Sequence, residues 1–484
     1  MIDQLPPLDL WQHFIKFCDT PRPSKHEAAI IAYIHQQGVE NKVIVEHDAI
    51  GNILLRVPAI RGHENADIIA LQCHVDMVTQ ANSDSSHDFL NDALQLQITD
   101  GWLHAINTTL GADNGIGCAA MLALMTDKSL QHGPLELLFT VDEEAGMGGA
   151  FGLQENWLQA KKLLNLDTEE EGEIYIGCAG GVDINASRSL AWQSASGEAV
   201  EISLTGLTGG HSGVDIHLNR ANANVLLAQE LLSISQTYAL QLVSFHGGSL
   251  RNAIPREAFV TVFTHDAKAL INAINTRNQT LKQLYHHREK ELLLTAQLKD
   301  NLSKNKINQS LTENQSTSLL SFIASHPNGV IKYSDDLPDI VESSNNLGVI
   351  NLESGGSLQL LNLCRSASND ERDAQAYRIA QYQQQFSMQV EIDGAYPGWQ
   401  PNRESPLLKD ALNLYLSLFN KEASIQVIHA GLECGLLSNT YPDCDIISFG
   451  PTITGAHSPR ERVNIDSVDK FWLFLTEFIS KLTK

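Results

Sequence analysis

Along the first 180 residues the apolar positions change period repeatedly, from helical spacing to short continuous runs. Ser24 with Glu27 three residues on forms a capping box ahead of the periodic run 28–34, which predicts a helix start. Runs at 42–46, 52–57, 67–73, 135–141 and 162–166 read as strands, and 115–125, rich in Ala, Leu and Met, reads as a helix between them. That alternation predicts an α/β domain. From about residue 187 the texture changes to alternating strands at 199–204 and 258–263, a long helical run over 267–299, and a polar stretch at 301–318 expected to be a loop. These features predict a separate α+β unit. A Gly/Pro-punctuated connector at 394–401 then returns the chain to α/β texture. A strand at 445–449 follows, and a last amphipathic helix begins at Ser467, with Val468, Phe471, Trp472, Leu475 and Phe478 on its apolar face. The simplest organisation is an outer domain made of 1–186 and 397–484, with 187–396 inserted into it.

Composition narrows this picture. At 484 residues the chain exceeds the size at which one core keeps growing, so two domains are expected. With 43% hydrophobic and 19% charged residues it reads as globular rather than disordered. No apolar run reaches the roughly 18 residues of a membrane span, and the N-terminus has neither the basic nor the apolar region of a secretion signal. A cytoplasmic location is expected. The seven cysteines are scattered, without a C-x-x-C pair, and are expected to be buried free thiols. A net charge of −24 repels phosphate backbones and anionic lipid, which argues against nucleic acid and membrane surfaces as partners.

Candidate chemistry gathers at the carboxyl ends of the expected strands, the edge at which sites form in open α/β sheets. His74 and Asp76 lie two residues apart on an extended segment and point the same way, which suits a metal-ligating imidazole held by a carboxylate behind it. Asp113, in Gly111-Ala112-Asp113-Asn114-Gly115, immediately precedes a helix. Asp142, Glu143 and Glu144 follow an apolar strand directly, Asp167 ends another, and His457 follows a third. Singly, each has an ordinary reading as a cap, a solvated loop or a structural histidine. Together, Asp76, Asp113, Glu143, Glu144 and Asp167 would place about five negative charges in one crevice, which cannot all ionise uncompensated. Two divalent cations supply the balance. Mixed His and carboxylate donors without thiolate suit zinc first and also permit manganese or cobalt. A pair of such ions is a general hydrolytic device, with the spare glutamate as base.

Four ordered segments carry a resemblance: Pro21-Arg22-Pro23-Ser24, Gly209-Gly210-His211-Ser212-Gly213, the run from His246 to Arg256, and Gly450-Pro451-Thr452-Ile453-Thr454-Gly455-Ala456-His457. With the acidic positions above, they resemble the di-zinc metallopeptidase family that includes carboxypeptidase G, aminoacylases and dipeptidases, the dipeptidases most closely. The resemblance implies a catalytic domain with a central mixed sheet flanked by helices, and an inserted α+β lid domain. It implies metal-dependent hydrolysis of dipeptides of broad specificity, Xaa-His included, by a hydroxide between two divalent ions. One ion would be held by His74 and Asp167, the other by Glu144 and His457, with Asp113 bridging. Asp76 would orient His74, Glu143 would act as general base, and the Asp113–Asn114 peptide would be cis. In the lid, His211 would stabilise the oxyanion, while Asn252 and Arg365 would bind substrate. A homodimer is expected by the same resemblance. An N-acyl-amino-acid deacylase is the alternative on the same metal site, and a non-catalytic metal-binding protein is the alternative from another class. The glycines at 146, 148, 149 and 152 make no dinucleotide fingerprint.

Overall fold

The computed structural model describes residues 2–299 and 309–484. The chain forms two compact units: Met1–Cys178 with Trp399–Val427 and Leu432–Lys484, and Ala179–Gly398 with Ile428–Gly431. A boundary at 186/187 would cut the strand Gly180–Ser189, which pairs along its length with Ser357–Ser366 and so belongs wholly to the second unit. The return of Ile428–Gly431 to that unit has no counterpart in the sequence reading.

Among the described residues the first unit carries an eight-stranded sheet. In chain order its strands are β1 (Ile44–His47), β2 (Ile53–Val57), β3 (Ile69–His74), β4 (Leu135–Thr140), β5 (Lys162–Asn165), β6 (Glu173–Cys178), β7 (Ser424–Ile428) and β8 (Asp445–Ser448). They lie in the order β1-β2-β4-β3-β5-β8-β6-β7. The central four, β4, β3, β5 and β8, are mutually parallel, while β2 and β6 run antiparallel to their inner neighbours, so the sheet is mixed. Every residue of β3 and β4 is buried, as expected where helices cover both faces of a parallel core. The registers pair His74 with Thr140 and Gln72 with Asn165, which brings the carboxyl ends of β3, β4 and β5 to one edge.

The helix Ala112–Thr126 packs on β3 with its middle buried throughout. Asp113 and Asn114 have non-helical dihedrals, so regular helix begins at Gly115, where the sequence places it, and the Asp113–Asn114 peptide is cis. A helix not anticipated, Leu8–Asp19, buries Leu10, Trp11, Phe14, Phe17 and Cys18, a helical spacing readable in retrospect. At the other end, the helix Ile465–Leu482 buries Val468, Phe471, Leu475 and Phe478.

Among its described residues the second unit is a nine-stranded antiparallel sheet with helices Ala223–Ile234, Ala267–Leu284, Glu313–Ala324 and Asn369–Gln385, an α+β arrangement. Two expectations are corrected. The helix expected over 267–299 ends at Leu284, and Leu293–Leu298 is a strand paired with Glu198–Thr205; cross-strand pairing overrides the helical propensity of that run. Of the polar stretch 301–318, residues 301–308 lie outside the described residues. The rest is not a loop, because Gln309–Ser310 pairs with Gln193–Ser194 and Thr312 with Gln315 forms a true capping box for Glu313–Ala324. The cysteines other than Cys178 are free thiols, and all seven but Cys444 are buried. No helix among the described residues is long and apolar enough to cross a membrane.

Candidate active site

The sheet edge of the first unit brings together all five expected donors. His74 ends β3, Asp167 follows β5, Glu143 and Glu144 follow β4, Asp113 opens the helix behind β3, and His457 lies beyond β8. The two oxygens of Asp113 face different histidines: Oδ1 is 3.1 Å from His74 Nε2, and Oδ2 is 3.3 Å from His457 Nε2. His74 Nε2 also lies 3.2 Å from Asp167 Oδ1, and His457 Nε2 lies 3.2 Å from Glu144 Oε1. His74 is buried and His457 is exposed, with φ of 60° in the left-handed region that side chains rarely occupy.

Behind the donors, Asp76 is fully buried. Its Oδ1 accepts from Glu143 N at 3.0 Å and lies 3.4 Å from His74 Nδ1. Its Oδ2 accepts from Glu144 N at 3.1 Å and from Ser24 Oγ at 2.7 Å. Burial opposes its charge, but His74 and these hydrogen bonds outweigh burial and hold its pKa at about 2. The capping box expected at Ser24 and Glu27 is therefore not one: Ser24 serves Asp76, and Glu27 accepts from Lys25 N and Asp142 N. Asn114 Nδ2 donates to both Asp167 and the Leu166 carbonyl.

Burial lifts the Glu143 carboxyl well above the usual range; His74 opposes this, and Asp167, Glu433 and Glu144 reinforce it. Glu433, absent from the sequence reading, is fully buried, accepts from Gln72 Nε2 and Thr140 Oγ1, and is pushed by burial up to about 7. Its surroundings, Gly-Leu-Glu-Cys, offer no local signal, and its partners lie 361 and 293 residues away.

A divalent cation fits these donors. His74, Asp113 and Asp167 form one group, and Asp113, Glu144 and His457 another, with the ligand atoms of each group within 4.8 Å of one another. Separations near 3.2 Å match the edge of a tetrahedron about an ion with bonds of about 2.0 Å, roughly 3.3 Å. Glu144 Oε1 is buried, and its approach to His457 Nε2 at 3.2 Å lacks hydrogen-bond geometry, an arrangement that a cation satisfies.

The remaining expected residues lie in the second unit. The Nδ1 atom of His211 accepts from Gly213 N at 3.2 Å and Val214 N at 3.1 Å. Burial, reinforced by Arg365, lowers its pKa to about 4. The ring is thus neutral at pH 7 and carries its proton on Nε2. Arg365 is buried and donates to Tyr396 Oη at 2.6 Å. Asn252 is exposed, and its carbonyl accepts from Ser212 N.

A mixed α/β sheet with two groups of metal-capable donors at the carboxyl ends of its strands defines the class of metal-dependent hydrolases. The chain belongs to peptidase family M20/M25/M40, whose sequence profile matches residues 70–481. It is 44% identical over 99% of both chains to the cytosol non-specific dipeptidase of Escherichia coli K12. Its fold superposes with a TM-score of 0.90 on the aminoacylhistidine dipeptidase of Vibrio alginolyticus, at 41% identity, covering 99% of this chain and 98% of that one. A more distant fold relative is the aminopeptidase PepT of Bacillus cereus, with a TM-score of 0.58, 15% identity, and coverage of 99% of this chain and 100% of that one.

Proposed function

We propose that this chain hydrolyses the peptide bond of dipeptides, Xaa-His among them, with two divalent metal ions, zinc first and cobalt or manganese as substitutes. The observation that carries this reading is the Asp113 carboxylate, whose two oxygens face His74 on one side and His457 on the other. His74 and Asp167 would hold one ion, Glu144 and His457 the second, and Asp113 both. The names of the two relatives above 40% identity support the choice of dipeptides over N-acyl amino acids.

When bound, the ions polarise the scissile carbonyl and acidify a water molecule. The residues of the chain do the rest. Glu143, its pKa raised, accepts the proton of the attacking water and returns it to the leaving amine. Asp76, facing Nδ1 of His74, keeps that ring in place and holds the main chain of Glu143 and Glu144. Neutral His211 donates its Nε2–H to the carbonyl oxygen as charge builds there, a role a proton-free Nε2 could not fill. Arg365, with Tyr396 beside it, binds the substrate's free carboxylate, and Asn252 contributes a further polar contact.

A cytoplasmic location and a homodimer complete the proposal. The E. coli relative's name supports the first, and sedimentation velocity tests the second. The deciding experiment assays chelated protein, re-supplied with zinc, manganese or cobalt, on dipeptides, tripeptides and N-acetyl amino acids. Metal-dependent cleavage of dipeptides, with N-acetyl amino acids left intact, is expected. Faster turnover of N-acetyl amino acids would replace the dipeptidase reading with the deacylase one.

A further inference from the structure

Two buried charges in the first unit belong neither to the metal donors nor to the residues assigned to substrate. Glu461 is 2% exposed and Arg22 is 0% exposed. Both end on the turn that carries Asp113. Glu461 Oε2 accepts from the N–H groups of Leu110 at 2.7 Å and Gly111 at 3.0 Å, and Oε1 accepts from Ala112 at 2.8 Å and Asp113 at 3.4 Å. From the other side, Arg22 Nη2 donates to the Gly111 carbonyl at 2.5 Å. Its Nη1 donates to the carbonyls of Val75 at 2.8 Å and Asp76 at 2.9 Å.

Among the described residues neither charge has an ion-pair partner: Glu461 is compensated by main-chain N–H groups, and Arg22 by main-chain carbonyls and by the face of Phe17, whose ring centre lies 5.4 Å from its guanidinium carbon. Gly111 is where the two meet, its N–H on the anion and its carbonyl on the cation. It has φ of 68°, and a Cβ there would overlap Arg22 Nη2 and press on Met77 Sδ, so only glycine fits. Burying charges this way costs desolvation free energy, which a retained role in holding geometry would account for. Arg22 also ties this turn to the residues just after His74. One guanidinium therefore sets the two donors that face a common ion, His74 and Asp113, against each other.

We propose that Arg22 and Glu461 are positioning residues, a pair of opposite charges that clamps the 110–113 turn so that the Asp113 carboxylate already spans His74 and His457 before metal binds. This rests on reading Asp113 as the shared ligand. The clamp explains why Pro21-Arg22-Pro23-Ser24, remote in sequence from every donor, belongs with the site: Ser24 holds Asp76 and Arg22 holds the Asp113 turn.

The test uses the full chain with Glu461→Gln and Arg22→Lys. Glutamine turns an amide donor toward two of the four N–H groups, and lysine keeps the charge without the fork that reaches three carbonyls. Dissociation constants for zinc and cobalt are measured by chelator competition, together with the visible spectrum of the cobalt-loaded protein and kcat and KM on a dipeptide. Both variants are expected to bind metal roughly 10- to 100-fold more weakly, to show altered cobalt bands, and to lose kcat with little change in KM. Folded variants with wild-type metal constants and cobalt spectra overturn the clamp, whatever their melting temperatures. If neither variant folds, amide exchange at residues 110–113 of the wild-type chain decides. Protection that survives chelation supports the clamp, and protection lost with the metal overturns it. Wild-type protein that binds no metal overturns both this proposal and the functional reading. Wild-type protein that binds two ions beside unaffected variants overturns the clamp alone.

Discussion

Replacing Asp76 with asparagine isolates what the carboxylate behind the donors contributes. Asp76 accepts three hydrogen bonds, from Glu143 N, Glu144 N and Ser24 Oγ, and its Oδ1 faces His74 Nδ1 at 3.4 Å. Asparagine has one acceptor oxygen. Placed at the Oδ2 position, it keeps the Glu144 and Ser24 bonds, but its amide group then confronts both the Glu143 N–H and the imidazole. The loss is one hydrogen bond to a charged, buried acceptor, worth about 1.5–3 kcal/mol, together with the hold on His74. The two groups released are the proposed base and a proposed ligand, so the cost falls on the transition state and on metal binding. At about 1.4 kcal/mol per tenfold, kcat/KM should fall roughly 10- to 150-fold at saturating metal. Ser24→Ala, which removes one bond and leaves both main-chain ones, should fall at the low end of that range or below it. Steady-state assays on one dipeptide, with metal content checked by elemental analysis, measure both. An Asp76→Asn enzyme within twofold of wild type would overturn this role for Asp76, because among the described residues no other side chain faces His74 Nδ1.

Glu143→Ala should retain its metal and lose about 10²- to 10⁴-fold in kcat, whereas His74→Ala and His457→Ala should lose metal as well; elemental analysis beside turnover separates these, and undiminished turnover without Glu143 would sink the base assignment. In the second unit, His326 is buried with Nδ1 donating to the Pro327 carbonyl and Nε2 facing the Gln383 amide, and burial lowers its pKa from 6.5 to about 4. The unfolded chain therefore binds more protons between those values, and stability is lost as pH falls through that window, by up to about 1.4 kcal/mol per pH unit and about 3 kcal/mol in all. His326→Gln, neutral throughout, should lack this loss, so its urea midpoint should approach that of wild type on acidification; parallel pH profiles would contradict the assignment.

The donors of the candidate site were readable because each follows an apolar run whose end is itself readable: His74 closes β3, Glu144 follows β4, Asp167 follows β5. Charge balance then ties five scattered carboxylates, Asp76, Asp113, Glu143, Glu144 and Asp167, to one cation-holding crevice. What stayed hidden depends on partners remote in the chain. Glu461 grips main-chain groups about 350 residues away, and nothing in Ser-Pro-Arg-Glu announces it. Ser24 and Glu27 fit a local pattern, yet longer-range partners at Asp76 and Asp142 claimed both side chains, while the same pattern at Thr312 and Gln315 met no such competitor and formed its capping box. Residues 293–298 carry side chains compatible with helix or strand, and the edge of a neighbouring strand decided between them. Local rules held where no distant group competed for the same atoms.

The free cysteines give the folded chain a record of its own breathing. Cys73 and Cys118 lie directly behind His74, with Cys118 Sγ donating to the His74 carbonyl, and burial pushes the Cys73 thiol far above its ordinary value. Cys364 is sealed in the second unit and is raised by burial to about 12. Closed, such thiols are inert to alkylating reagents near neutral pH, because the thiolate is the reactive form. Each therefore becomes labelled only when its own surroundings open. The order in which Cys18, Cys73, Cys118, Cys364 and Cys434 take up a reagent ranks the local opening free energies around the site and away from it, without any probe having to be engineered in.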